Sequence, residues 1–208
     1  MEIGNNKKEI ITIALAAIIL AITVSFKDLS IFYKALLSFL IIITANVIIK
    51  KLIGYHFEIK INTKIWTLYQ FGFKKKQHFK KPMPMAWLPF VMAFFSRGYI
   101  FWLGILEFDA NPLPERASRR HGLYRFTEIT ERHMGWIAFW GVVTNLIMGI
   151  IGYIIGFELF AKLNFHFAMW SIIPIARFDG TKIFFANRIL WVIITSIASL
   201  LFFLSFGI

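Results

Sequence analysis

Four polar residues stand in or beside long apolar runs, where they could do chemistry away from water: Asn46, Asn145, Asp179 and Lys182. Asp179 is the most demanding of them. It lies in SIIPIARFDGTKI (171–183), between apolar stretches. An ionisable group at membrane depth costs about 2.5–3.5 kcal/mol even on lenient insertion scales, and such groups mark functional sites or pair with a partner. Pro174, five residues earlier, removes a backbone donor and restrains the residue before it. Freed backbone groups at that depth are tolerated only in a protein-lined or hydrated cavity. Pro174, Asp179 and Gly180 therefore predict a broken helix around a polar pocket. Two uses of Asp179 stay open: a functional carboxylate in that pocket, or an ion pair with Lys182, three residues on and on the same helical face.

Other donors are sparse. The chain has no Cys and five His, at 56, 78, 121, 133 and 166, none with another His three to five residues away. Glu128, Glu131 and His133 cluster, but in an Arg-rich loop where a solvated charged surface explains them. His166, near the end of an apolar run, reads as an interfacial residue. Asn46, Asn145 and Asp179 fall on three successive core spans, and hydrogen bonds between spans contribute about 0.6–2 kcal/mol each. These side chains are expected to approach one another, with Asp179 protonated or bound to Asn46.

The elements that must position them are membrane helices. Of 208 residues, 58% are apolar, including 24 Phe and 7 Trp. Several runs approach the roughly 20 residues that cross a hydrocarbon core. The expected fold is an all-α polytopic membrane protein in one domain, with about five transmembrane helices over 10–26, 31–53, 135–160, 165–185 and 189–206. The first run lacks a cleavage site and is expected to remain as a span. Alternation of Phe57, Ile59 and Ile61 with His56, Glu58 and Lys60 predicts a strand. Asn62-Thr63-Lys64 reads as its turn, giving a small membrane-face β-hairpin over 55–73, followed by the basic linker KKKQHFKKPMPM (74–85). Residues 85–108 are apolar but interrupted by Pro89, Arg97, Gly98 and Gly104, and read as re-entrant or interfacial. If they do not cross, Lys and Arg divide 18 against 3 in favour of the N-terminal side. That asymmetry predicts a cytoplasmic N-terminus, in the plasma membrane of a prokaryote. The net charge of +12 then fits basic loops facing anionic lipid head groups; no RNA-binding motif accompanies the lysines, so no nucleic-acid partner is expected.

SIIPIARFDGTKI resembles the site-2 protease motif N-x-x-P-x-x-x-L-D-G-x-[RK]-I. Pro174, Asp179, Gly180, Lys182 and Ile183 match, while Ser171 and Phe178 replace Asn and Leu. MGWIAFWGVVTNLIMGI (134–150) is similar to the same family's I-A-L-A-G-P-L-T-N-L segment. Ile137, Ala138, Gly141, Thr144, Asn145 and Leu146 fit, and Val142 stands where proline is expected. KKLIGYHFEIK (50–60) resembles the sequence that follows the family's H-E-x-x-H motif on the second span. The resemblance implies that Asp179 stands at the third zinc-ligand position. Counting back from Gly54, it places the ligand positions at Ile42 and Asn46 and the base position at Ile43, so the histidines and the glutamate are missing. An isoleucine coordinates nothing, and Asp with Asn makes a poor zinc site without nitrogen donors; no metal cofactor is expected.

Three functions follow as expectations. The first is a catalytically inactive site-2-protease-like protein that binds a membrane helix or an extended peptide, or serves as a subunit or assembly factor of a membrane complex. Such a protein would grip a peptide by strand addition near the segment after Gly54. The second is an active intramembrane metalloprotease whose zinc ligands come from elsewhere. The third is a transporter with Asp179 as a carrier site.

Overall fold

A computed structural model describes residues 3–70, 78–114 and 129–207. The apolar runs become helices: α1 (Ile3–Val24), α2 (Phe32–His56), the short α3 (Leu88–Phe95), α4 (Glu131–Ile155), α5 (Glu158–Ile172), α6 (Asp179–Ala186) and α7 (Arg188–Leu204). A 3-10 turn over Leu29–Ile31 leads into α2, and another over Ser205–Gly207 follows α7. Among the described residues, three segments are long and apolar enough to cross a membrane: Leu29–His56, Glu131–Ile155 and Arg188–Gly207. α1 has 22 residues, but Lys7, Lys8 and Glu9 occupy its early turns. The expected span over 165–185 is two helices, because the chain leaves α5 at Ile172 and bends through 173–178 before α6 starts at Asp179. Proline at 174 prevents continuation, as its position predicts. The expected 135–160 helix ends earlier, at Gly156, whose φ of +88° lets the chain turn back into α5.

α4 is the central post. It packs on α2, α5 and α6, while α1 lies against the outer side of α2. Two apolar clusters fill the interior. Ala16, Ala17, Leu20, Ala35, Phe39, Ile42, Ile43, Leu103 and Ile105 make one of them. Ile59, Ile61, Phe108, Ile137, Ala138, Val142, Ile172 and Ile183 anchor the other. Many outward residues are equally apolar: α7 buries Ile194 and Ala198 but exposes Ile189, Val192, Ile193, Ile197, Leu200 and Phe203. A face of that kind suits lipid rather than water.

The small β structure differs from the expected hairpin. β1 (Ile59–Ile65) runs straight through Asn62, Thr63 and Lys64 and pairs antiparallel with β4 (Leu106–Pro112). Local turn propensity loses to longer-range partners. Asn62 pairs with Asp109 and Lys64 with Glu107 in the ladder, Lys64 Nζ reaches Asp109 at 2.6 Å and Glu107 at 3.3 Å, and the Thr63 amide donates to Glu9 on α1 at 3.0 Å. Glu9 also pairs with Lys51 of α2. After Trp66 the chain continues as β2 (Thr67–Gln70), paired antiparallel with β3 (His78–Pro84). Part of the expected basic linker is therefore strand. Residues 71–77 of the hairpin and linker, and 115–128 of the arginine-rich loop with Glu128 and His121, lie outside the described residues. The protein is mostly helical, as expected, and among the described residues two two-stranded sheets stand where one hairpin is expected. Of the segment 85–108, only eight residues are helical, α3. At 1.5 Å per residue that helix is about 12 Å long, too short to cross.

Candidate functional site

The break between α5 and α6 places Asp179 at the first turn of α6, where a carboxylate is favoured by the helix dipole. A Cβ on Gly180 would overlap the carbonyl group of Ile172, so glycine at this position lets the start of α6 close onto the end of α5. Facing it, α2 presents Asn46 and Lys50, one helical turn apart. Gly141 of α4 lies over both: a Cβ there would strike the Lys50 side chain, and its carbonyl accepts from Asn46 Nδ2 at 2.9 Å.

Lys50 Nζ donates to Asp179 Oδ2 at 2.6 Å, with side-chain exposures of only 9% and 6%. This pair is the electrostatic centre of the site. The expected partners of Asp179, Lys182 or Asn46, are not the ones it takes. Lys182 instead donates to the Phe108 carbonyl at 3.0 Å and lies 3.3 Å from the centre of the Phe108 ring. Lys50 lies 5.2 Å from the same ring, so two cations share one aromatic face. Asn46, Lys50 and Asp179 line a cavity of about 10 Å³ closed by Leu103, Gly104, Ile105, Leu106, Phe167, Ser171 and Phe178. It has room for about one water.

The sequence-derived residues thus divide. Asn46, Asp179, Gly180 and, at one remove, Lys182 converge. Ile42 and Ile43 are fully buried in the apolar cluster with Leu20 and Phe39 and do not line the cavity. Asn145, expected in the polar network, is buried with neither amide atom paired among the described residues; it lies one turn beyond Gly141 and outside the cavity lining. Pro174 makes the bend but is exposed and lines no polar pocket. Lys50 is the residue that sequence reasoning missed. Its signal was its position four residues after Asn46, on the same face of an apolar helix.

Aromatic side chains wall the site on the strand side. Phe178 packs edge-on to Trp66, ring centres 4.9 Å apart, and Trp66 stacks with Trp102 at 6.3 Å. Trp102 Nε1 donates to the Gly104 carbonyl at 2.7 Å, fixing the strip that closes the cavity.

Zinc does not fit this donor set. Asp179 is engaged by an ammonium, Asn46 by a backbone carbonyl, and the remaining positions are alkyl. Among the described residues no cluster of three His, Asp or Glu could hold a metal ion.

A second feature adjoins the ion pair. The bonds Trp66 N–Ile105 O (2.8 Å) and Leu113 N–Glu58 O (2.9 Å) bracket the β1–β4 ladder. They fix which residues exchange backbone hydrogen bonds, and in an antiparallel pair these alternate. Residues 107, 109 and 111 of β4 therefore face β1, while 108 and 110 turn their backbone groups to the far edge. Lys182 bonding to the Phe108 carbonyl agrees. Along that edge runs an open groove of about 490 Å³, lined by Phe108, Asp109, Ala110, Asn111, Met134, Arg177 and Lys182. Arg177 reaches Asp109 at 3.8 Å and lies over the Tyr69 ring.

Comparison with family models, curated proteins and solved structures gives no match.

Proposed function

We propose that this chain is a catalytically inactive, site-2-protease-like membrane protein that binds an extended peptide segment of a membrane partner. The observation that carries the reading is the buried Lys50–Asp179 ion pair. A lysine ammonium holds the carboxylate that the resemblance assigns to zinc, while Ile42, Ile43 and Asn46 supply neither the nitrogen donors nor the base that hydrolysis needs. The pocket is closed around its own counter-ion, with space for about one water rather than a scissile bond.

Binding is assigned to the outer edge of β4 rather than to a 55–73 hairpin. Ala110 offers an outward N–H and C=O in the groove beside Arg177 and Lys182, and among the described residues β4 has one strand neighbour, β1. A peptide added there would gain backbone hydrogen bonds with little sequence preference, and the two cations favour a segment carrying a carboxylate.

The test uses Ala110→Pro in the full chain. Proline removes the outward N–H and leaves the bonds to β1 intact, as edge positions permit. A photo-crosslinker at Asn111 should capture a membrane partner in the otherwise unaltered chain and lose that partner in the Ala110→Pro chain, with thermal stability in detergent unchanged. Stoichiometric zinc together with cleavage of a membrane substrate, lost on Asp179→Asn, would overturn the proposal in favour of an active protease.

A further inference from the structure

A separate cleft of about 310 Å³ opens between one face of α5, the segment after α3 and the end of α7. Its floor is one face of α5, where Lys162, His166 and Trp170 follow at intervals of four. Such spacing stacks them along a single helical stripe. Polarity falls along it from ammonium to imidazole to indole. Tyr99, Ile100 and Phe101 form one wall; Phe202 and Phe206 form the other.

Two polar groups on that floor lack the partners a structural role would supply. His166 is 6% exposed, and its Nε2 has no hydrogen-bond partner among the described residues. Its ring lies against Phe202 and Phe206, centres at 4.6 and 5.4 Å, and those two rings touch each other at 5.1 Å, so the three form one aromatic cluster. A buried polar atom left unsatisfied costs about 1–3 kcal/mol. Among the described residues Lys162 forms no ion pair, although Glu158 lies one turn before it; its ammonium rests 5.8 Å from the Phe206 ring centre. Lys27, three residues past α1, lies over the ring of the wall residue Tyr99 at 4.3 Å. Among the described residues no acidic side chain lines the cleft.

We infer that this cleft binds an anionic amphiphile, head group on Lys162 and His166 and first carbons along Trp170 and Phe101. The shared chemistry is a phosphate or carboxylate oxygen carried on an apolar chain, so a phospholipid and a free fatty acid both qualify. The volume, near the lower end for small-molecule sites, accommodates the head and proximal carbons. The rest of the chain would lie on the exposed apolar face of α7. The tautomer of His166 with its proton on Nε2 donates to the head group, and Lys162 adds a charge-assisted bond.

The test is native mass spectrometry of the full chain in detergent, offered equal amounts of phosphatidylglycerol, phosphatidylcholine and oleate. One phosphatidylglycerol or oleate should be retained per chain in preference to phosphatidylcholine, and which of the two is held identifies the source. Lys162→Met keeps the stem and removes the charge, and should lower retention about tenfold. His166→Phe keeps the ring stack and removes the nitrogen, and should lower it severalfold. Inorganic phosphate should not displace the bound molecule. Retention of phosphatidylcholine equal to phosphatidylglycerol and oleate, wild-type retention by Lys162→Met, or displacement by inorganic phosphate alone would each overturn the inference. Should His166→Phe fail to fold, Lys162→Met, at a half-buried rim position, decides.

Discussion

The Lys50–Asp179 pocket and the Lys162–His166 cleft place a lysine in similar apolar surroundings and solve the problem in opposite ways. At the first, the ammonium is matched within the chain by a carboxylate at 2.6 Å, and the space left over is about 10 Å³. At the second, among the described residues, the cation and the imidazole form no ion pair, and they border about 310 Å³. A satisfied polar group close-packed with its partner supports a fold. An unsatisfied one beside open volume awaits a ligand.

The largest expected effect tests the first half of that contrast. Asp179→Ala leaves the Lys50 charge buried and alone, and should destabilise the protein by about 3–5 kcal/mol. The double change Lys50→Met with Asp179→Leu removes both charges and should recover most of the loss in thermal unfolding. If the single and double variants unfold alike, the pair is not what holds the pocket. Next comes Gly180→Ala, whose Cβ would overlap the backbone of Ile172 and should cost about 1–3 kcal/mol. Gly141→Ala meets only the flexible Lys50 stem and the Asn46 amide, so its midpoint should fall less. At the other site, Lys162→Met should change stability by no more than about 0.5 kcal/mol while lowering retention of the anionic amphiphile about tenfold. Equal damage at 162 and 179 would erase the distinction.

Glu107 sharpens the comparison with the smallest effect. Its side chain is buried beside Lys64 at 3.3 Å, and its Oε2 is unpaired among the described residues. Burial pushes its carboxyl above the ordinary range, with Lys64 pulling the other way. A carboxyl raised in the folded state stabilises below its unfolded value near 4.5, and that contribution is lost as pH rises through the folded value. Glu107→Gln should therefore gain on the parent protein between pH 4 and pH 8, measured as the difference in unfolding midpoints. An unchanged difference would mean that Lys64 fully compensates the carboxylate.

Much of this site was legible in the chain because it is written locally. Pro174, far past the first turn of α5, cannot continue that helix, and glycine beside Asp179 signals a close approach. The choice of partner was not local. Lys50 and Asp179 are 129 residues apart, and Lys182 at three residues was the nearer candidate until Phe108 claimed it. Asn62-Thr63-Lys64 has turn chemistry, yet Glu9 and the β4 carboxylates hold it extended. Asn145 carries the right spacing but sits one turn past Gly141, outside the cavity. Helix periodicity cannot fix how far along its neighbour a side chain will land.

Lys50 has a consequence for how the molecule is made. Its cation is tethered to the polypeptide and arrives with translation. The positive charge beside Asp179 is therefore part of the chain itself, and a chelator would leave the ion pair intact.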